Sequence, residues 1–202
     1  RRSSDLLLQL AAAFYSDKAE EKTGPMSELG LSQETIDTAG TTLGVSGANE
    51  AKRVQKEYMQ NHRLNIPTLL MADIIHGFRT IFPIPLALGS TWDEAAVEKM
   101  AEISAKEAAV SGLHVTFSPM VDLVRDPRWG RVMESTGEDP LLNSRLAAAM
   151  VRGYQGENLK EDNWRVAACV KHFAAYGGAL AGRDYNTVDM SERQLREMYL
   201  PG

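Results

Sequence analysis

From residue 64 onward, apolar runs of strand length alternate with longer helix-patterned stretches, and this alternation constrains the chain more than any other feature. It is the signature of repeated β/α units around a parallel sheet. Ile66–Met71 (IPTLLM) is one such run and follows a helix expected over Ala48–Asn61. Leu113–Val121 (LHVTFSPMV) is a second, and Val166–Val170 (VAACV) is a third that leads into Lys171-His172-Phe173. Thr41–Val45 (TTLGV) is a weaker fourth, and Asp5–Tyr15 reads equally as strand or helix. The expected class is α/β, with roughly four strand–helix units. A closed parallel barrel needs eight units and typically ~250 residues. Four units would be half a barrel with two open sheet edges. A doubly wound sheet tolerates four strands better, and the pattern by itself leaves both architectures open.

The helices carry start and stop signals. Trp92–Ser111 reads as the longest, with Thr91 and Glu94 at capping-box spacing and Gly112 closing its end. Val97, Met100, Ala101, Ser104, Ala108 and Ser111 share one face of it, narrow and made largely of small residues. Asp139-Pro140 reads as an N-cap and first turn for a helix through Leu141–Gly153. Ser191 with Gln194 starts a further helix, and Ser32 caps a short one that Gly40 ends.

Net charge is -5 over 202 residues with the signs interspersed, and without a Lys/Arg stripe no nucleic-acid partner is expected. The apolar stretches fall well short of the ~20 residues a membrane helix needs, so no membrane partner is expected either. The single cysteine, Cys169, cannot form an internal disulfide. Asp5 interrupts the place where a secretory leader would build its apolar core, which leans toward the cytoplasm. The first residue, Arg1, is not a methionine, and Leu200-Pro201-Gly202 reads as a loop that leads onward, so both ends are expected to be cuts.

In parallel α/β folds, ligands meet the loops at the C-terminal ends of the strands. After the Ile66 run come Asp73, His76 and Arg79; after the Leu113 run come Asp122 and then Arg125-Asp126-Pro127-Arg128-Trp129-Gly130-Arg131. After Val170 come Lys171 and His172, with Arg183 and Asp184 further on. A carboxylate that accepts from hydroxyls beside Arg, Lys and His that donate to others suits a hydroxyl-rich ligand. Trp129 or Phe82 could cover the apolar face of a sugar. Several of these residues also have purely structural readings. Asp73 can cap a helix or pair in a salt bridge, His76 can be a satisfied loop histidine, and Arg125, Asp126 and Arg128 can form a loop charge network. Glu134, Glu138 and Asp139 read as structural. Lys171 is harder to read that way, because a lysine aimed into a strand end is costly unless an acid meets it. His172 falls on the opposite side of an ideal strand, so both can serve one site only where the backbone departs from strand geometry. Asp73 and His76 lack a third ligand at metal spacing, no GxGxxG or P-loop occurs, and Gly-x-Ser-x-Gly is absent. Neither a metal nor another cofactor is expected.

Three segments, MADIIHG, TFSPMVDLVRDPRWGRVMESTGEDP and KHFAAYG, in that order, resemble family 3 of the glycoside hydrolases. The resemblance covers roughly residues 41–202 and looks closest to bacterial β-glucosidases that act on short β-glucans. It implies a (β/α)8-like N-terminal domain, of which residues 41–202 would be the first part, about four units, with residues 1–40 packing on it. An α/β sandwich domain would follow. It places the family's sugar-binding aspartate on Asp73, its arginine on Arg131 and its Lys-His pair on Lys171 and His172. Further arginines fall on Arg79 and near Arg183. The implied activity is exo-acting and retaining, with an aspartate nucleophile in a Ser-Asp-Trp-like motif and a glutamic acid from the second domain. No Ser-Asp-Trp occurs in these 202 residues, so both catalytic carboxylates are expected beyond Gly202 and this chain alone is expected to be inactive. The remainder of the barrel or a neighbouring chain is expected to cover the open sheet edges. Alternatives are a noncatalytic sugar-binding module, a β-xylosidase or a β-N-acetylglucosaminidase. Tyr176 stands where the last of these would carry a second histidine.

Overall fold

The computed structural model describes residues 12–15, 37–45 and 47–202. They gather into two compact units, the described part of Arg1–Ala72 with Val110–Val115, and Asp73–Ala109 with Thr116–Gly202.

In the first unit, three parallel strands pair in chain order: β1 (Ala12–Phe14), β2 (Thr41–Leu43) and β3 (Leu69–Ala72). Ala12 lies opposite Thr41, and Thr41 opposite Leu69. Thr42 is buried in the middle strand, where its hydroxyl lies 2.8 Å from that of Thr68. Thr68 also donates to the Ala39 carbonyl, so the buried hydroxyls are satisfied. Helix α1 (Ala48–Asn61) buries Ala51, Val54 and Tyr58, the i, i+3, i+7 stripe of an amphipathic helix. Gly112 has φ +91°, and a Cβ there would fall 2.5 Å from the Cβ of Ala51. Both its backbone and its neighbour therefore require glycine. The His114 amide donates to the Leu70 carbonyl, which carries the ladder into β4 (Val115–Thr116).

The second unit holds α2 (Pro85–Gly89), α3 (Glu94–Val110), α4 (Pro140–Gln155), β5 (Ala167–Ala168) and α5 (Glu192–Gln194), which runs on as a π-helical turn over Leu195–Tyr199. The Cys169 amide bonds the Thr116 carbonyl and sets β5 beside the end of β4. Strand order follows chain order, β1-β2-β3-β4-β5. A doubly wound sheet reverses its order at a switch point. This one does not, and the fold is α/β of partial-barrel type.

The strands are shorter than their apolar runs. Leu113–Val121 contains Pro119, which has no N–H to give a ladder, and regular pairing stops after Thr116. It resumes at one parallel bridge between Met120 and Lys171. The expected capping box at Thr91 is replaced: Asp93 accepts from the Ala96 amide, while Thr91 accepts from Asp93 itself. A carboxylate is favoured over a hydroxyl there because it also meets the positive end of the helix dipole. The buried face of α3 is Val97, Met100, Ala101, Ser104, Ala105 and Ala108, with Ala105 in place of Ser111. Asp139 caps α4 by accepting from Leu142, and Ser191 caps α5 by accepting from Gln194, as their spacing implied. Ser32 lies outside the described residues, as does most of Asp5–Tyr15; Ala12–Phe14 is strand. Among the described residues, no helix is long and apolar enough to cross a membrane.

Helices α3 and α4 touch backbone to backbone. A Cβ on Gly153 of α4 would sit 2.3 Å from the Glu98 carbonyl oxygen and 2.6 Å from the Cβ of Ala101. Gly153→Ala should therefore destabilise the protein by about 1–3 kcal/mol despite alanine's higher helix propensity. Urea unfolding monitored by circular dichroism checks this: a more stable variant would mean that the helices separate freely.

Candidate functional site

Lys171 is placed by its own backbone just beyond β5. Its amide donates to the Pro119 carbonyl at 3.0 Å, and its carbonyl accepts from the Val121 amide at 2.7 Å. Its ammonium lies 2.7 Å from Asp73 Oδ1 and 3.6 Å from Glu134 Oε2. The Lys171 side chain is 12% exposed and that of Asp73 is 55% exposed, so the aspartate stands at the open side of the pair. The acid that Lys171 was expected to need is thus Asp73, with Glu134 behind it.

Asp73 is held through its neighbour. The Ile74 amide donates to the Thr116 hydroxyl at 3.1 Å, and its carbonyl accepts from the Tyr154 hydroxyl at 2.6 Å. Burial pushes the Tyr154 hydroxyl up to about 12, so it stays a donor at any working pH.

Glu134 organises the cations. Arg131 gives it a two-pronged contact, Nε to Oε1 at 2.6 Å and Nη2 to Oε2 at 2.7 Å. Burial alone would raise the Glu134 carboxyl. The Arg131 hydrogen bonds, with the charges of Arg131 and Lys171, outweigh it and hold the carboxyl below the usual range. The third nitrogen of Arg131, Nη1, lies 3.3 Å from His172 Nε2. The other ring nitrogen of His172, Nδ1, lies 2.7 Å from Oδ2 of the buried Asp122. The Lys171–His172 peptide is cis, and both side chains reach the same cluster.

An aromatic group flanks the cluster. Tyr176 meets the His172 ring edge-on, with centroids 4.9 Å apart, and lies 5.4 Å under the Arg131 guanidinium. Its hydroxyl donates to Asp184, which also accepts from the indole N–H of Trp129. Burial and the Asp184 carboxylate push the Tyr176 hydroxyl above its ordinary range. Trp129 itself is 2% exposed. It cannot cover a ligand, because Tyr176 packs against its ring and Asp184 takes its N–H.

The structure thus brings Asp73, Arg131, Lys171 and His172 together. It does not bring Arg79 or Arg183 to them by any described contact. The Arg79 guanidinium lies 5.4 Å from the ring of Phe78, and the Arg183 side chain is exposed. Of the other members, Glu134 was read from the sequence as structural, and Asp122 was named at its strand end without a role. The i, i+3 spacing of Arg131 and Glu134 across a short helical turn, Val132–Glu134, was the available signal for the first. His76 is tied into its loop by the Phe82 carbonyl, and Arg128 pairs with Asp126, whose carboxyl Arg128 holds at about 2. Among the described residues, no three of His, Cys, Asp and Glu gather as a metal would need. A separate cavity of about 630 Å³, lined in part by Glu98, Arg152 and Trp164, lies away from the cluster.

Chemically, the cluster sets the carboxylates of Asp73, Asp122 and Glu134 against the cationic side chains of Lys171 and Arg131. That balance disfavours an anionic ligand, and its mixed donors and acceptors match neutral hydroxyls.

The model of the glycosyl hydrolase family 3 N-terminal domain matches residues 33–202. A β-glucosidase from Listeria innocua, solved in complex with glucose, superposes with a TM-score of 0.88 at 53% identity, over 98% of this chain and 29% of that one. A mutant of that enzyme in complex with laminaribiose superposes with a TM-score of 0.86 at 50% identity, over 100% of this chain and 30% of that one. A periplasmic β-glucosidase of Salmonella typhimurium is 45% identical over 162 residues, 80% of this chain and 21% of the relative. A β-xylosidase of Formosa agariphila is 35% identical over 205 residues, 95% of this chain and 28% of the relative. The chain therefore spans less than a third of the length of each of these proteins.

Because the folded-state value of Glu134 is depressed, its stabilisation is complete above the unfolded value of about 4.3 and is lost as pH falls through the folded one. Glu134→Gln should lower stability at pH 7 by about 1–3 kcal/mol and flatten the loss of stability between about pH 5 and pH 3. Urea titrations across that range check both effects; an unchanged acid profile would show that Glu134 is not paired in the folded state.

Proposed function

Because this chain belongs to family 3 of the glycosyl hydrolases, we propose that it carries the sugar-gripping part of the active site of an exo-acting, retaining β-glucosidase. Residues 41–202 would then be the opening part of the (β/α)8 domain, with the remainder of the barrel covering its open edge. The observation that supports this reading best is the linkage, through Glu134, of Asp73, Arg131, Lys171 and His172, drawn from three different βα loops.

In this reading a terminal, nonreducing β-D-glucosyl unit of a β-glucoside or short β-glucan enters over Asp73. That half-exposed carboxylate accepts from sugar hydroxyls, and Lys171 and Arg131 donate to others. Glu134 holds both cations in place before the sugar arrives, which cuts the ordering cost of binding. The nucleophilic aspartate and the general acid are expected beyond Gly202. This chain's residues bind and orient; they do not form or break the glycosidic bond. The relatives crystallised with glucose and laminaribiose support glucose as the bound unit. The β-xylosidase relative, matched over 95% of this chain, supports a second reading as a β-xylosidase, which differs in the space around the C6 carbon of the sugar.

Two measurements test the proposal. In the full-length protein, Asp73→Ala should lower kcat/KM on an aryl β-glucoside by at least ~100-fold, since two charge-assisted hydrogen bonds are lost. Retention of near-wild-type turnover would remove Asp73 from the pocket. The isolated 202-residue chain should show no turnover of the same substrate above a heat-killed control; real turnover would place catalytic groups within it. Comparing aryl β-glucoside with aryl β-xyloside on the full-length protein separates the two readings.

A further inference from the structure

Asp122 is a carboxylate with only 1% of its side chain exposed. A buried charge is expensive unless it is paired. Among the described hydrogen bonds, its partners both belong to one residue: the His172 amide donates to Oδ2 at 3.0 Å, and His172 Nδ1 meets the same oxygen at 2.7 Å. A carboxylate can only accept, so Nδ1 carries the ring proton. On the far side of the ring, Nε2 faces Arg131 Nη1 at 3.3 Å. A guanidinium can only donate, so Nε2 presents its lone pair. The two partners thus specify one tautomer, and the double contact with a single oxygen fixes the ring's rotation as well.

From this geometry we propose that Asp122 is a positioning residue for sugar recognition. It holds His172 in the Nδ1-protonated tautomer and turns Nε2 toward the cluster as a hydrogen-bond acceptor. Arg131 occupies that acceptor in the structure. A ligand hydroxyl that takes the place of Arg131 at Nε2 must donate to it, because that nitrogen carries one lone pair and no proton. Tyr176 packs edge-on against the ring, with centroids 4.9 Å apart. The role rests on the sugar-pocket reading above and deepens it, because Asp122 touches no ligand itself and acts only through His172.

The test uses the full-length enzyme and a double-mutant cycle. Asp122→Ala, His172→Ala, the double variant and Asp122→Asn are compared for kcat and KM on an aryl β-glucoside, with thermal melts alongside. Asp122→Ala should cost about 10- to 100-fold in kcat/KM in the wild-type background and no more than about 2-fold in the His172→Ala background. The amide oxygen of Asn can accept both bonds, so Asp122→Asn should stay within about 5-fold of wild type. Equal losses from Asp122→Ala in both backgrounds would overturn the role, since Asp122 would then act on something other than His172. If Asp122→Ala does not fold, Asp122→Asn decides. A wild-type melt with a 10-fold or greater loss would rule out orientation by the shared oxygen. A wild-type enzyme that turns over neither aryl β-glucoside nor aryl β-xyloside would defeat the sugar reading and this role with it. Normal turnover by Asp122→Ala would defeat this role alone.

Discussion

The ammonium of Lys171, held between the carboxylates of Asp73 and Glu134, is the interaction on which the rest of the site depends. A nearly buried lysine must be matched by opposite charge, or its desolvation exceeds what the fold can spare. Meeting that requirement draws in two other loops. Asp73 comes from the end of β3, and Glu134 follows the loop after β4. Glu134 then orients Arg131, and Arg131 reaches His172. The electrostatic demand of one side chain thus gathers a pocket-sized set of donors and acceptors before any ligand is present.

The backbone around that lysine explains why it can be so demanding. Pro119 interrupts regular pairing between the strands, and a single bridge at Met120 and Lys171 restores it. Lys171 is therefore anchored by main-chain bonds on both sides while its side chain lies just past the end of β5. On the other flank, Thr116 and Tyr154 grip the backbone N–H and C=O of Ile74, which leaves Asp73 little freedom to follow solvent.

Much of this was legible in the residues. The alternation of apolar runs with helical periodicity gave the α/β class, and caps such as Asp139 and Ser191 were read correctly because they depend only on local chemistry. The motif segments carried the family, and the need of Lys171 for an acid was deducible from its position. What escaped was set by tertiary partners. Trp129 looked like a ligand platform but is buried, because Asp184, 55 positions away, takes its N–H. Thr91 lost its cap to Asp93 through a turn that periodicity does not encode. Glu134 looked like an ordinary acid although Arg131 stands three residues before it, and nothing local to Asp122 says that it meets His172. The strand in Leu113–Val121 was overestimated because that run continues past Pro119, which cannot pair.

The burial of Trp129 gives the molecule an optical property. Of the tryptophans in this chain, Trp92 and Trp164 are 73% and 53% exposed, whereas Trp129 is 2% exposed. Its indole touches Asp184 and Tyr176, and Tyr176 in turn packs against His172 and Arg131. Fluorescence from a shielded indole is blue-shifted and resists aqueous quenchers, so this ring stands out spectrally from its two wet counterparts. The fold has placed a native fluorophore against the tyrosine that flanks the cluster.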